Sequence, residues 1–319
     1  MNLNMILFLS IVALCNAAAC TWSTSFDVSA ATGTAAQFPV RPVLGDSLEI
    51  AVASYGTGGS GGRLTGFTSA GALQWGPVSL ANYPNGFARD SAGLLYFARN
   101  GGGVTVHNPT DGTVTGTAFT VTPGGSPIIA IDANLGILYA ISAYGNHKVE
   151  RYQLDGTALA DLTSEGSAAG QNQVGLAVVP TTGNILVATT SGQVHEFTPA
   201  GASVQNWAAG GFNQDGLTVL NEHVYLQAQS TSINIVTSSG CIIEAAGAAT
   251  PSLSNAQGGA GYPGFGLTDS RFLLADANTF HVHTFTCDYT MLTTTAQNVC
   301  GEDIAVSAGP APLPLSATE

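Results

Sequence analysis

Charge is scarce in this chain. Of 319 residues only 8% are Asp, Glu, Lys or Arg, and cations are the rarer sign: 7 Lys plus Arg stand against 20 Asp plus Glu, for a formal net charge of -13. Long amphipathic helices need a charged outer face, so almost no helix is expected beyond the first residues. Nucleic acid and anionic membrane are excluded as partners too, because gripping phosphates takes clustered Lys and Arg. The acids are too thinly spread to form a solvating tail, and the balance reads as solubility with some affinity for cations. Long apolar runs are also lacking. The run at residues 5 to 14 is too short to span a bilayer, and every later stretch is broken by Gly, Pro or polar residues, so no membrane insertion is expected.

That first run is followed by Asn16, Ala17, Ala18 and Ala19, the small residues that a signal peptidase requires. Residues 1–19 are therefore expected to be a secretory signal, and the mature protein to be extracellular. No Lys or Arg precedes the run, which a eukaryotic leader tolerates better than a bacterial one. Cys15 leaves with the leader. Cys20, Cys241, Cys287 and Cys300 remain, an even number that allows two disulfides in three connectivities. No pair has zinc-type spacing. A lipid-anchored Cys20 would need a large aliphatic residue where Ala17 stands. One Cys opens the mature chain and two lie near its end, so a bridge between the ends would clasp a closed ring.

What the chain has in quantity is turn residues and short apolar runs: 40 Gly, 14 Pro and 45% hydrophobic residues. These repeat. Segments 64 to 71, 105 to 112, 149 to 156, 194 to 201 and 233 to 240 each read as a strand followed by a turn closing on Gly, and a sixth at 282 to 289 keeps the strand but ends on Tyr289. The offsets from Gly71 to Tyr289 are 41, 44, 45, 39 and 49 residues, the length of a four-stranded propeller blade. An earlier apolar run recurs in each unit, at 48–51, 94–97, 137–140, 185–188, 224–227 and 272–275, short and continuous as strands buried on both faces should be.

A further strand precedes these runs at 86–90, 128–132, 175–179, 216–220 and 264–269, with Phe38 to Val43 as its counterpart in the first unit. Small residues there let the innermost strands crowd round an axis. Outer strands such as Thr113 to Val121 bring each blade to four. The expected fold is all-β: a six-bladed β-propeller of four-stranded antiparallel blades over residues 20–306. Its closing strand is expected at Thr21 to Val28, which would hide a free edge and put Cys20 near Cys287 or Cys300. Residues 307–319, with Pro310, Pro312 and Pro314, are expected to form a disordered tail.

The blade pattern resembles the NHL-repeat and gluconolactonase-like six-bladed propellers over nearly the whole mature chain. Pro84-Asn85-Gly86 is similar to the lactonase segment whose Asn helps to hold a divalent metal at the channel mouth, and Gln214-Asp215-Gly216-Leu217 to the segment that supplies a metal-binding Asp. In that family the two segments occupy neighbouring blades, whereas here they fall in the second and fifth. The acidic ligand of an early Gly-Glu motif is missing, with Gly45-Asp46 the nearest candidate. The stretch from Leu274 to Asn278, followed by His281 and His283, resembles an NHL blade core, but the RNA-binding members need a basic face that this chain lacks.

Among single residues, Asp90, Asp132 and Asp269 each end an innermost strand and are expected to fix the following turn. His281 and His283 share a strand face, and His195 occupies the position equivalent to His283, which points to a slot between blades rather than a metal site. His107, His147 and His223 form no pattern, and there is no Gly-x-Ser-x-Gly elbow or phosphate-binding loop. Two functions are compatible with this reading. One is a secreted, non-enzymatic binding or structural module for an extracellular protein or glycan, with no cofactor. The other is a lactonase-like hydrolase or lyase with Ca²⁺ or Zn²⁺ in the central channel, resting on Asn85 and Asp215.

Overall fold

The computed structural model describes residues 20–33, 37–44, 49–56, 61–80, 82–122, 125–142, 148–162, 172–208, 217–219, 224–228, 233–237, 242–246, 256–262, 269–276 and 280–288. The expected leader, the expected tail, Cys241, Cys300 and Asp215 lie outside them. The described chain is almost entirely β, and its strands form six antiparallel sheets.

Strand β1 (Cys20–Asp27) leads into helix α1 (Val28–Thr32), five residues capped by the Asp27 carboxylate, which accepts from the Ala30 N–H, and closed by Gly33 at φ 63°. The first sheet then follows as β2 (Gln37–Leu44), β3 (Ile50–Gly56), β4 (Gly62–Phe67) and β5 (Leu73–Leu80). The second is β6 (Pro84–Arg89), β7 (Leu95–Arg99), β8 (Gly103–His107) and β9 (Phe119–Thr120). The third is β10 (Pro127–Asp132), β11 (Ile137–Ser142) and β12 (Glu150–Gln153). The fourth is β13 (Gln173–Val178), β14 (Ile185–Thr189), β15 (Gln193–Phe197) and β16 (Ser203–Ala208). The fifth is β17 (Leu217–Val219), β18 (Val224–Ala228), β19 (Ile233–Thr237) and β20 (Ile242–Ala246). The sixth takes β21 (Ala256–Tyr262), β22 (Asp269–Asp276) and β23 (His281–Asp288) from the far end of the chain and β1 from its beginning, in the order β1-β23-β22-β21.

Within the first five sheets the strands follow one another in chain order, and the first strands meet from sheet to sheet. β2 touches β6, β6 touches β10, and the succession runs through β13, β17 and β21 back to β2. Apolar cores fill the spaces between neighbouring sheets. On β11, Leu138 and Ala140 join the core shared with the second sheet, whereas Tyr139 and Ile141 join the core shared with the fourth. A strand buried on both faces has no use for a polar alternation, which is why these runs are continuously apolar. Gly86 and Gly175 occupy first strands where the next sheet presses in. A Cβ on Gly86 would lie 2.8 Å from the Ile129 backbone nitrogen, and one on Gly175 would lie 3.1 Å from Leu217 Cβ.

Outside the cores, the sheets are pinned by a recurring contact. The glycines that close the turn before the outer strand sit at positive φ: Gly71 at 82°, Gly112 at 72°, Gly156 at 91° and Gly201 at 90°. Each also receives a large apolar side chain from the preceding sheet. A Cβ would lie 2.6 Å from the Phe26 ring at Gly71, 2.5 Å from the Trp75 indole at Gly112, 2.5 Å from Phe119 at Gly156 and 3.1 Å from Leu162 at Gly201. Phe26 belongs to β1, so the sixth sheet grips the first in the same way that the first grips the second.

Three expectations are corrected. Among the described residues the blades are not uniformly four-stranded: the third sheet shows three strands, and beyond β12 the bridges Tyr152 to Ala158 and Val149 to Leu162. The Arg151 guanidinium takes the Ala160 carbonyl at 2.6 Å, so a side chain replaces part of the ladder. The outer strand foreseen from Thr113 to Val121 is broken, leaving β9 and a bridge between His107 and Val114. In the last sheet the first strand is β21, upstream of the segment expected, and Asp269 opens β22 instead of closing an innermost strand. β21 reads Ala-Gln-Gly-Gly-Ala-Gly-Tyr, too small and Gly-rich to resemble a strand by its pattern.

The turn contacts can be measured. Gly101 has φ 88° with nothing near its Cβ position, so Gly101→Ala incurs only backbone strain, about 1 to 2 kcal/mol. Gly112→Ala meets Trp75 as well and is expected to lose a further 1 to 3 kcal/mol or so in urea unfolding. Equal losses in the two variants would mean that the indole contact contributes nothing.

Candidate functional site

The start of the first strands carries the sequence-derived candidate. Pro84 pairs with Arg99 and Gly86 with Ala98, so Asn85 is the extra residue of a β-bulge. Bulges re-aim side chains and occur often beside binding sites. Asn85 is half-buried, and its Nδ2 is shut off from solvent without a hydrogen-bond partner. The fourth sheet repeats the irregularity, with Gln173 opposite Thr189 and Gly175 opposite Ala188. Gln173 is buried and its Oε1 is likewise unpartnered. Sequence reasoning passed over Gln173. The signal available was its place two residues before Gly175, matching Pro84 before Gly86.

A polar residue stands opposite the first position of five of the six first strands: Arg99 opposite Pro84, Ser142 opposite Pro127, Thr189 opposite Gln173, Gln227 opposite Leu217 and Asp276 opposite Ala256, while in the first sheet Ser54 stands opposite Pro39, the third residue of β2. Ser54, Ser142, Thr189 and Asp276 are buried. At Thr189 the role is visible: the hydroxyl lies 2.9 Å from Ser191 Oγ and accepts from the Gln193 N–H at 3.3 Å, which ties down the turn. Around the ring of first strands, β6 and β17 are separated by β10 and β13 on one side and by β2 and β21 on the other. Asn85 thus stands across the ring from the strand that follows Asp215, and among the described residues no group of three or more His, Cys, Asp or Glu is placed to hold a metal ion, beside it or elsewhere.

Two of the buried acids are committed to backbone and two to side chains. Asp90 accepts from the N–H groups of Ala92 and Leu94 at 3.0 and 2.8 Å, and Asp132 from those of Asn134 and Leu135 at 2.9 and 3.0 Å, as turn-fixing carboxylates should. Tyr96 and Tyr139 are each pushed up to about 12, first by burial and then by the neighbouring Asp90 or Asp132 charge. The Glu196 carboxylate accepts 2.6 Å bonds from Asn184 Nδ2 and Gln205 Nε2. Glu150, which the sequence reading missed, accepts from the Tyr152 hydroxyl at 2.5 Å, and that hydroxyl accepts in turn from the Thr122 N–H. Tyr152 is raised chiefly by burial and next by its bond to Glu150. These groups hold sheets and turns together.

Three histidines are buried and neutral. The Nδ1–H of His107 donates to the Gly112 carbonyl at 2.9 Å, which leaves Nε2 to accept from the Thr105 hydroxyl at 2.8 Å. His195 stacks on Phe197, and its Nε2 has no partner. The His283 ring lies parallel to His281 at 5.9 Å, with both of its nitrogens buried and unbonded. Burial lowers all three, and it carries His283 down to about 4 against the opposing pull of Asp276. His195 and His283 thus share the buried slot that their repeat positions implied.

The opposite end of the sheets has another character. Leu73, Val114, Leu135 and Val204 are 43%, 60%, 55% and 48% exposed. All lie in or beside turns that join the first strand to the second or the third to the outer one, which in an antiparallel meander is one end of the sheet. Asp111 and Asp155 occupy turns at that end, fully exposed, and their carboxyls are lowered chiefly by backbone N–H bonds from Thr113 and Thr157. The result is an apolar and anionic rim across the first four sheets.

No family model and no curated protein matches this chain. Solved structures share its fold. A catalytically inactive variant of virginiamycin B lyase from Staphylococcus aureus, crystallised with quinupristin, superposes with a TM-score of 0.54 at 11% identity, covering 84% of this chain and 99% of that one. The WD40 β-propeller domain of Doa1 gives 0.52 at 12% identity over 85% and 98% of the two chains. The β-propeller domain of Cps50 (Swd1) from Myceliophteria thermophila gives 0.52 at 9% over 83% and 99%. The chain is a β-propeller, and likeness at this identity concerns the fold alone.

The buried histidines predict acid sensitivity. Their folded pKa values lie below the unfolded value of about 6.5, so the unfolded chain binds more protons between the two. Stability is fully present above pH 6.5 or so and is lost as pH falls toward 4. Urea midpoints are expected to drop from pH 7.5 to pH 5, with His283 contributing at most about 2 kcal/mol of the loss. His283→Gln is expected to flatten that slope, and an unchanged slope would show that His283 takes up its proton as readily in the fold as in the unfolded chain.

Proposed function

We propose that this protein is a secreted, non-enzymatic β-propeller of six blades closed by its N-terminal strand, and that it binds an extracellular protein partner. The observation that carries the reading is the rim formed by Leu73, Val114, Leu135 and Val204. Scattered apolar residues are ordinary on a surface, but these four lie at the same end of four consecutive sheets, one on each, where a docking partner could meet them together. Asp111 and Asp155 lie within it and stay ionised, so the partner presents apolar side chains among Lys or Arg. At the other end Thr189 is bound to its own turn, which supports a structural role for that position.

The test is affinity capture from extracellular fluid. The wild-type chain is expected to retain a partner that the variant Leu73→Ser/Val114→Ser/Leu135→Ser/Val204→Ser releases, with both chains melting alike. Equal capture by the two would discard this rim as the docking face.

A second reading, a metal-dependent hydrolase or lyase, is favoured by one feature: the bulge at Asn85, a residue whose side-chain carbonyl oxygen is the atom a cation would take. A resident Ca²⁺ or Zn²⁺ would raise the thermal midpoint by mass action, and Asn85→Ala would abolish the rise. The binding-module reading expects the same midpoint in EDTA, Ca²⁺ and Zn²⁺.

A further inference from the structure

The sixth sheet joins the two ends of the chain, and its register sets two cysteines face to face. In the ladder between β1 and β23, Cys20 is the residue directly opposite Cys287. Opposed positions in an antiparallel pair have Cα atoms about 4.5 to 5.5 Å apart. A disulfide spans Cα separations of about 4.4 to 6.8 Å, so the register alone brings the pair within range. No other cysteine pair is aligned among the described residues, since Cys241 and Cys300 lie outside them. β1 is also the edge strand of its sheet, held to the rest of that sheet only through β23. A covalent link there would fix the strand whose Phe26 side chain packs on Gly71 of the first sheet.

We propose that Cys20 and Cys287 form a disulfide that clasps the N-terminal strand to the C-terminal one. The proposal rests on the secretory reading for its oxidising compartment. The oxidant is a disulfide-bearing thiol oxidoreductase or glutathione disulfide. One cysteine thiolate attacks the oxidant's disulfide to give a mixed disulfide and releases one thiolate. The second cysteine thiolate then displaces the other half of the oxidant. Two electrons leave the cysteines for the oxidant, the two protons from the cysteine thiols pass to the thiolates released, and one S–S bond is exchanged for another.

The test is peptide mapping by mass spectrometry under non-reducing conditions, on protein from the medium and on purified reduced protein re-equilibrated in a glutathione redox buffer. Both samples are expected to yield one peptide pair linking Cys20 to Cys287 that separates on reduction. Cys20→Ser, Cys287→Ser and the double variant are expected to lose the same thermal stability, about 5 °C or more, because each breaks the same bond. Linkage of Cys20 to Cys241 or Cys300, or free thiols at both Cys20 and Cys287 in folded protein after the redox buffer, would overturn the proposal. A chain kept inside the cell that still forms the link in buffer would uphold the pairing and discard the secretory reading.

Discussion

Everything in this molecule depends on sheets meeting face to face. A four-stranded sheet standing alone would leave two apolar surfaces wet; stacked between two neighbours it buries both, and each stacking fixes the position of the next. The side chains that cross from one sheet to the turn glycine of the next, Phe26, Trp75, Phe119 and Leu162, set the spacing at the outer part of the sheets. Close approach at Gly86 and Gly175 sets it at the inner part. Between those limits the packed cores leave little freedom, because interiors at crystal-like density do not tolerate displacement.

The same constraint explains the composition. A residue facing a neighbouring sheet on either side has no outlet to solvent, so charges survive in a strand only where hydrogen bonds satisfy them, as at Glu196 between Asn184 and Gln205. Asp90 and Asp132 stand where a first strand ends and backbone N–H groups await them. The low charge content is therefore a property of the architecture before it is a clue to partners.

Much of this was legible in the residues, and what was not has identifiable causes. The repeat stood out because the turn glycine is doubly required, by its φ and by the incoming side chain, and a residue under two constraints recurs where others drift. First strands beginning near Gly86 and Gly175 were readable for the same reason. β21 was not, since a run of small residues carries no period, and the nearby stretch up to Asp269 was a better match to the pattern. The weak outer edge of the third sheet was invisible because Arg151, a side chain, does the work of backbone there. At the candidate site Asn85 could be found from its Gly neighbour. Gln173 was passed over although it stands two residues before Gly175, because one residue of bulge shifts which position faces the same way.

The strand order of the sixth sheet bears on how the chain comes to be folded. Sheets one to five are each built from consecutive segments and can form as the polypeptide emerges from the ribosome. β1 is made first, yet its partner β23 is among the last strands made. For most of synthesis β1 therefore waits with an unpaired edge and with Phe26 lacking its own sheet. The final pairing is a contact of very long sequence separation, of the sort that slows folding. Until β23 is made the edge of β1 stays unpaired, and an unpaired edge is the part of a β protein most exposed to pairing with a second copy.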